Sequence, residues 1–233
     1  MKKETCLAII PARGGSKRIP RKNIKDFLGK PIISYSIDAA LNSGLFDEVM
    51  VSTDDEEIKR VAKRFGASVP FVRSAENSND YATTIDVLLE VYNTYLNMGK
   101  QFDKICCIYP CAPFVTSQQL ESAFELLKTC EAATVFPIIK YGHPIQRALL
   151  KNDGFVSMAD EKNLTVRTQD LEPRYHDAGQ FYWLTTASLI EDKKLITART
   201  AGIEIDELQA HDIDSELDWK LAELKYNLVR LKP

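Results

Sequence analysis

Between Arg13 and Lys25 the chain places six basic residues, Arg13, Lys17, Arg18, Arg21, Lys22 and Lys25, with no acidic residue among them. Yet the whole protein, 233 residues long, carries a formal net charge of −3. The stretch PARGGSKRIPRKN (11–23) carries paired glycines, Gly14 and Gly15, near its start. Glycines admit positive φ and let successive N–H groups approach an anion, while Arg13, Lys17 and Lys22 add full charges. Such a loop suits a highly charged anion, for example a nucleoside triphosphate. It matches neither G-x-x-x-x-G-K-[ST] nor G-x-G-x-x-G. The competing reading is a solvated basic loop or a nucleic-acid patch, and a pI near 5.7 argues against a general nucleic-acid binder.

A second pattern lies near the other end, in HDIDSELDW (211–219). Asp212 and Asp214 are two apart, so in an extended segment both carboxylates point to one side. With triphosphate oxygens and water they would complete an octahedral magnesium site. Spacing alone leaves this even with a plainer alternative, in which Asp214 helps Ser215 start a helix and Asp212 is surface.

The elements that must position these groups alternate regularly. CLAII (6–10) reads as a buried parallel strand, so the basic loop follows a strand's carboxyl end, where open α/β sheets bind ligands. Helices are expected over 31–44, 54–66, 83–99 and from Thr116 to Cys130, the last with a Thr116/Gln119 capping box. Strands are expected over 48–53, 68–72, 104–110, 132–139 and 179–185, the second weakened by Pro70. Ser215 should cap a final helix in which Leu217, Leu221, Leu224, Leu228 and Leu231 recur at helical spacing. Residues 140–178 are polar and weakly periodic, too long for an ordinary loop, and read as an inserted arm. The pattern as a whole predicts an α/β chain with a mostly parallel sheet, Rossmann-like and flanked by helices. The odd count of five cysteines without zinc-like spacing, and the lack of an apolar run near a membrane span's length, predict a cytoplasmic protein with free thiols and no membrane partner.

The stretch IPARGGSKRIPRKNI strongly resembles the signature of the CMP-sugar synthetases, the cytidylyltransferases that activate nine-carbon and eight-carbon sugar acids. The resemblance extends from Leu7 to about Leu228 through PIISYSIDAA, STDDEEI, YPCAPF, RTQDLEP and DIDSELDW. QDLEPRYHDAGQFYW looks most like the pseudaminic acid branch. The resemblance implies a nucleotidyltransferase fold and a homodimer whose arm, 140–178, reaches a neighbouring active site. It also implies a magnesium-dependent reaction of CTP with a nonulosonic acid, giving CMP-sugar and pyrophosphate.

Residue by residue, it implies a nucleotide pocket of Ala12, Arg13, Gly14, Gly15, Ser16, Lys17, Lys22, Asn23, Arg73, Thr84 and Tyr109. Arg13 and Lys17 would stabilise phosphate charge, and Asp212 and Asp214 would hold Mg2+, making Arg13, Lys17 and Asp214 the catalytic set. Arg167, Gln169, Tyr175, His176 and Gln180 are polar groups suited to a hydroxyl-rich sugar acid, with arm or subunit packing as their other reading. Two departures stand out: sialic acid enzymes usually have Gln at Tyr109, and Arg-Pro-Asn-Gly at His176-Asp177-Ala178-Gly179. The rival expectations are the same reaction on N-acetylneuraminate, legionaminate or Kdo, and a nucleotide-binding module without turnover. His143 receives no role.

Overall fold

The apolar run behind the basic loop is a strand buried on both faces, since Cys6 to Ile10 are essentially inaccessible in the computed structural model, which describes residues 4–230. A strand buried on both faces needs helices on both sides of its sheet. In chain order, β1 (Cys6–Pro11) precedes a short ladder of β2 (Asp26–Phe27) with β3 (Lys30–Pro31). Then come α1 (Ile33–Ser43), β4 (Glu48–Ser52), α2 (Glu56–Arg64), α3 (Thr84–Asn97), β5 (Lys104–Ile108), α4 (Ser117–Thr129) and β6 (Thr134–Lys140). A hairpin of β7 (Leu149–Asn152) and β8 (Phe155–Met158) follows, then β9 (Tyr175–Asp177), β10 (Phe181–Thr185), α5 (Thr186–Glu191), β11 (Thr200–Glu204) and α6 (Glu216–Arg230).

The central sheet has the order β11-β6-β10-β5-β1-β4, with β9 also paired to β6. Side-chain alternation divides the core. Cys6, Ala8 and Ile10 face α1, α2 and α4 together with Trp183, whereas Leu7 and Ile9 face α3 and α5 together with Tyr182. Helix starts follow the sequence: Thr116 with Gln119, and Thr83 with Asp86, each form a capping box, and Asp55 caps α2. Cys6, Cys106 and Cys107 are buried free thiols, Cys111 is partly exposed and Cys130 is exposed.

The structure differs from the sequence reading in several places. Among the described residues, β10 and β9 run against their neighbours and the other sheet strands run one way, so the sheet is mostly but not wholly parallel. The expected strand 68–72 shrinks to one bridge, Met50 to Ser68; Pro70 has no N–H to extend it. Pro31 ends β3 rather than opening α1. Leu217, Leu221, Leu224 and Leu228 are exposed, and α6 instead buries Trp219 and Ala222 against Phe27 and Tyr35; Leu231 lies outside the described residues. Residues 141–177 include no buried position, but the last three form β9 on the sheet, so the stretch outside the central sheet ends near Arg174.

Candidate active site

β1 sits between β4 and β5, so the chain leaves it toward one side of the sheet and later returns on the other. Such a switch point leaves a crevice beyond the strands' carboxyl ends. Here it is a cleft of about 570 Å³, lined on one side by the basic loop and on the other by Arg73, Thr83, Thr84, Tyr109, Pro110 and Cys111. Gly179, His211 and Asp212 close it.

Neither loop glycine is there for positive φ, and packing requires only Gly14. Neither has φ in the left-handed region, which Arg21 adopts instead, at 55°. A Cβ on Gly14 would lie 2.8 Å from Asp55 Oδ2, and its N–H donates to Asp54 Oδ1 at 2.9 Å. Gly15 has nothing within 4 Å of its missing Cβ, so it leaves the loop's outer side open. Ala12 is buried behind the loop, its N–H fastened to the Ser52 carbonyl at 2.9 Å. Asn23 is buried too: its amide donates to the Arg13 carbonyl at 2.9 Å, and its oxygen accepts the Cys111 thiol at 3.2 Å. The Arg13 backbone is thereby pinned while its side chain stays in the cleft.

Each of the six cations has a carboxylate partner drawn from elsewhere in the chain. Arg13 and Lys17 share Asp80, at 2.7 and 2.5 Å. Arg18 and Lys22 share Asp214, at 2.7 and 3.8 Å, and Lys22 also donates to the Ile213 carbonyl. Lys25 pairs with Glu216 and lies over the Trp219 ring. Arg21 pairs with Asp55 and Glu57. This last group braces the fold, because Asp55 also caps α2 through the N–H groups of Glu57 and Ile58. The Arg21 guanidinium beside Asp55, with those N–H donors, holds its carboxyl down to about 2.

A depressed folded-state pKa contributes stability at pH values above the ordinary aspartate range, and the contribution disappears as pH falls from about 4 toward 2. Asp55→Asn should therefore cost on the order of 1–2 kcal/mol near neutrality. Urea midpoints across that window should show the wild type losing its advantage over the variant, and parallel pH profiles would contradict the assignment.

Arg73 is buried, donating to the Ser52 hydroxyl at 2.9 Å and to the Ser52 carbonyl, so it ties the cleft wall to the end of β4. Burial draws its pKa down, against the nearby carboxylates of Asp54 and Glu90. Thr84 Oγ1 lies 3.0 Å from the Tyr109 hydroxyl, and the Tyr109 ring meets Tyr182 edge-on. Tyr182 donates to Asp177 Oδ2 at 2.7 Å, while Asp177 Oδ1 accepts the Gly179 N–H at 2.8 Å. Burial raises the pKa of both phenols, so the chain is held as neutral hydroxyls.

Of the expected nucleotide set, Arg13, Ser16, Lys17, Lys22, Asn23, Arg73, Thr84 and Tyr109 line the cleft. Asp212 lines it as well, Asp214 pairs with Arg18 and Lys22 beside it, and Ile213 between the two aspartates is buried. The capping of α6 belongs to Ser215 and Asp218: Asp218 Oδ2 accepts the N–H groups of Ser215 at 2.7 Å and Asp214 at 3.1 Å. The Asp214 carboxylate is thus left to the basic loop. Asp212 at the cleft and Asp214 among the loop cations are hard-oxygen groups of the kind a divalent cation takes beside ligands from substrate and water. Among the described residues, no group of three or more His, Cys, Asp or Glu side chains is arranged to hold a metal without such help.

The five residues expected at the sugar are not brought to this cleft. Gln180 is buried, its side-chain amide donating to the Gln209 carbonyl at 2.6 Å and its backbone carbonyl accepting the Tyr109 N–H. Tyr175 and His176 are exposed on β9, with the His176 ring against Tyr141. Arg167 pairs with Asp170 at 2.7 Å, and Gln169 lies beside them on the arm. The pairing of β9 with β6, two strands from β5, carries these side chains away from the loop. Sequence reasoning missed Asp80, Asn77, Asn79 and His211, which all line the cleft; the first three lie between Arg73 and Thr84, which offered the only signal.

The cytidylyltransferase family model matches residues 7–228. A pseudaminic acid cytidylyltransferase of Campylobacter jejuni is 43% identical, covering 95% of this chain and 96% of that protein. A CMP-N,N'-diacetyllegionaminic acid synthase of Legionella pneumophila is 33% identical, covering 93% and 94%. Among solved structures, a CMP:2-keto-3-deoxy-manno-octonic acid synthetase complexed with CTP has a similar fold, with a TM-score of 0.69 at 18% identity over 97% of this chain and 99% of that one. With a cation-lined crevice at the sheet's switch point and a family match running almost end to end, the chain belongs to the cytidylyltransferase family and is a nucleotidyltransferase.

Proposed function

We propose that the protein joins CTP to pseudaminic acid, giving the CMP-sugar and pyrophosphate. The carrying observation is the convergence of Arg13, Lys17, Arg18 and Lys22 on one cleft, in a chain 43% identical to an enzyme named for that sugar. Chemistry at the α-phosphorus asks little of the protein beyond positioning and charge stabilisation. Arg13 and Lys17 hold the triphosphate and the departing pyrophosphate. Asn23 fixes the backbone from which Arg13 projects. Thr84 and Tyr109 form the wall facing the nucleoside, and Arg73 keeps that wall in register with β4.

Asp212 and Asp214 would hold Mg2+, which when bound supplies further charge neutralisation to phosphate and sugar oxygens. Asp214 already lies between Arg18 and Lys22, so Asp214→Asn keeps its place but offers a weaker ligand for a hard cation. It should raise the half-saturating magnesium by about tenfold at saturating CTP. A magnesium titration with half-saturation and maximum unchanged would remove Asp214 from the metal site.

The proposal extends to a homodimer in the cytoplasm. Leu149, Leu150, Phe155 and Val156 of the β7–β8 hairpin are exposed apolar groups, a pattern typical of an uncovered interface. Arg167, Gln169, Tyr175 and His176 then act in the cleft of the second subunit, in keeping with their distance from their own. Among the described residues no helix is long and apolar enough to cross a membrane. A pyrophosphate-release assay across CTP and a panel of nonulosonic acids tests the reading. Release with pseudaminate is the expected result, and none with any sugar acid would favour a binding module.

A further inference from the structure

Asp80 lines the cleft but has no part in the scheme above. Its carboxylate spans the two loop cations, with Oδ1 2.7 Å from Arg13 and Oδ2 2.5 Å from Lys17. One anionic oxygen on each cation is the arrangement a phosphate group would adopt. The loop that carries Asp80 is fastened on either side of it. Glu90 accepts the Ser74 N–H and hydroxyl at 2.7 and 2.8 Å, and the Asn77 amide. Asn79 Oδ1 accepts the N–H groups of Tyr81 and Ala82, and the Thr83/Asp86 box begins α3.

The side chain of Asp80 is 40% exposed and that of Lys17 80% exposed, so their pairing is solvent-screened and readily exchanged. Tyr81, next along the loop, is 92% exposed, leaving space for the loop tip to swing outward.

We propose that Asp80 is a displaceable stand-in for phosphate. In the free protein it holds Arg13 and Lys17 facing one another. The polyphosphate of the incoming nucleotide takes its place, and Asp80 returns to the cations as pyrophosphate leaves. A ligand must outcompete a carboxylate held in reach by the chain itself. Polyphosphates meet that requirement and a single phosphate group does so poorly, so Asp80 sets a charge threshold for binding. This deepens the nucleotide reading and rests on it.

The test is calorimetric titration of the full-length protein with inorganic tripolyphosphate and with orthophosphate, without magnesium, for wild type, Asp80→Asn and Lys17→Ala. Asparagine keeps the shape at an exposed position, and a thermal melt verifies that each variant is folded. Asp80→Asn should bind tripolyphosphate about tenfold more tightly than wild type and should gain measurable orthophosphate binding. Equal or weaker binding would overturn the proposal and make Asp80 a strut that orients the cations. If Lys17→Ala matches wild type for tripolyphosphate, the phosphate reading of the loop itself fails. If Lys17→Ala weakens binding but Asp80→Asn does not tighten it, the displacement idea alone fails.

Discussion

Arg13→Ala and Lys17→Ala should each lower turnover by about tenfold or more while leaving the melting temperature near that of the wild type. A charge-assisted hydrogen bond is worth roughly 1.5–3 kcal/mol, and about 1.4 kcal/mol is a factor of ten in rate. Both side chains reach solvent in the free protein, 35% and 80% exposed, and their shared partner Asp80 stays accessible to water when one of them is removed. Their contribution to folding is therefore small and their contribution to a bound polyphosphate large. The two touch one carboxylate in the free protein and would touch one ligand in the complex, so the double variant should fall short of the product of the single losses. Steady-state kinetics alongside melting curves make the comparison. Near-wild-type kinetics for both variants would withdraw the phosphate assignment.

The second large effect concerns the sugar. Pseudaminate should be preferred to N-acetylneuraminate by about a hundredfold or more in catalytic efficiency, about 2.7 kcal/mol. An arginine fork grips a carboxylate or several acceptors at once, whereas the histidine standing at this corner offers one or two bonds. Asp177 beside it is already engaged by the Tyr182 hydroxyl and the Gly179 N–H. With Asp177 so engaged, the proposed recognition would fall to His176 and the arm. A pocket reading the sugar through a few placed bonds rejects a stereoisomer that leaves them unpaired. His176→Ala should accordingly erode the preference more than it weakens CTP binding. Equal efficiency on both sugars would remove pseudaminate as the substrate and leave the cytidylyltransferase family untouched.

The features legible in the sequence were those set by local chemistry. The run Cys6 to Ile10 and the box at Thr116 each follow from neighbouring residues, and each stands in the structure. Strand direction did not have such a source: FYWLT reads the same whether it joins the sheet parallel or antiparallel, and its pairing with β5 and β6 decides. The leucines of α6 kept helical spacing, but packing against Phe27 selected the opposite face, where Trp219 lies. Gly14 looked like a residue chosen for backbone freedom; the constraint is Asp55, which comes from the far side of β4. Asp80 gave no sign in its own neighbourhood, because its meaning depends on two cations more than sixty residues away in the chain.

The internal pairing of the basic loop has a consequence at long range. Seen from a Debye length away, about 8–10 Å at ordinary salt, Arg13 to Lys25 and the carboxylates of Asp55, Glu57, Asp80, Asp214 and Glu216 nearly cancel. A surface of six uncompensated cations would draw in RNA and other polyanions through their fields and the release of their counterions. This one presents almost no far field, and the chain as a whole repels them weakly. If Asp80 yields to phosphate as proposed, the positive charge becomes available to a ligand that has already entered the cleft. A polyanion approaching from outside the cleft is therefore offered little attraction.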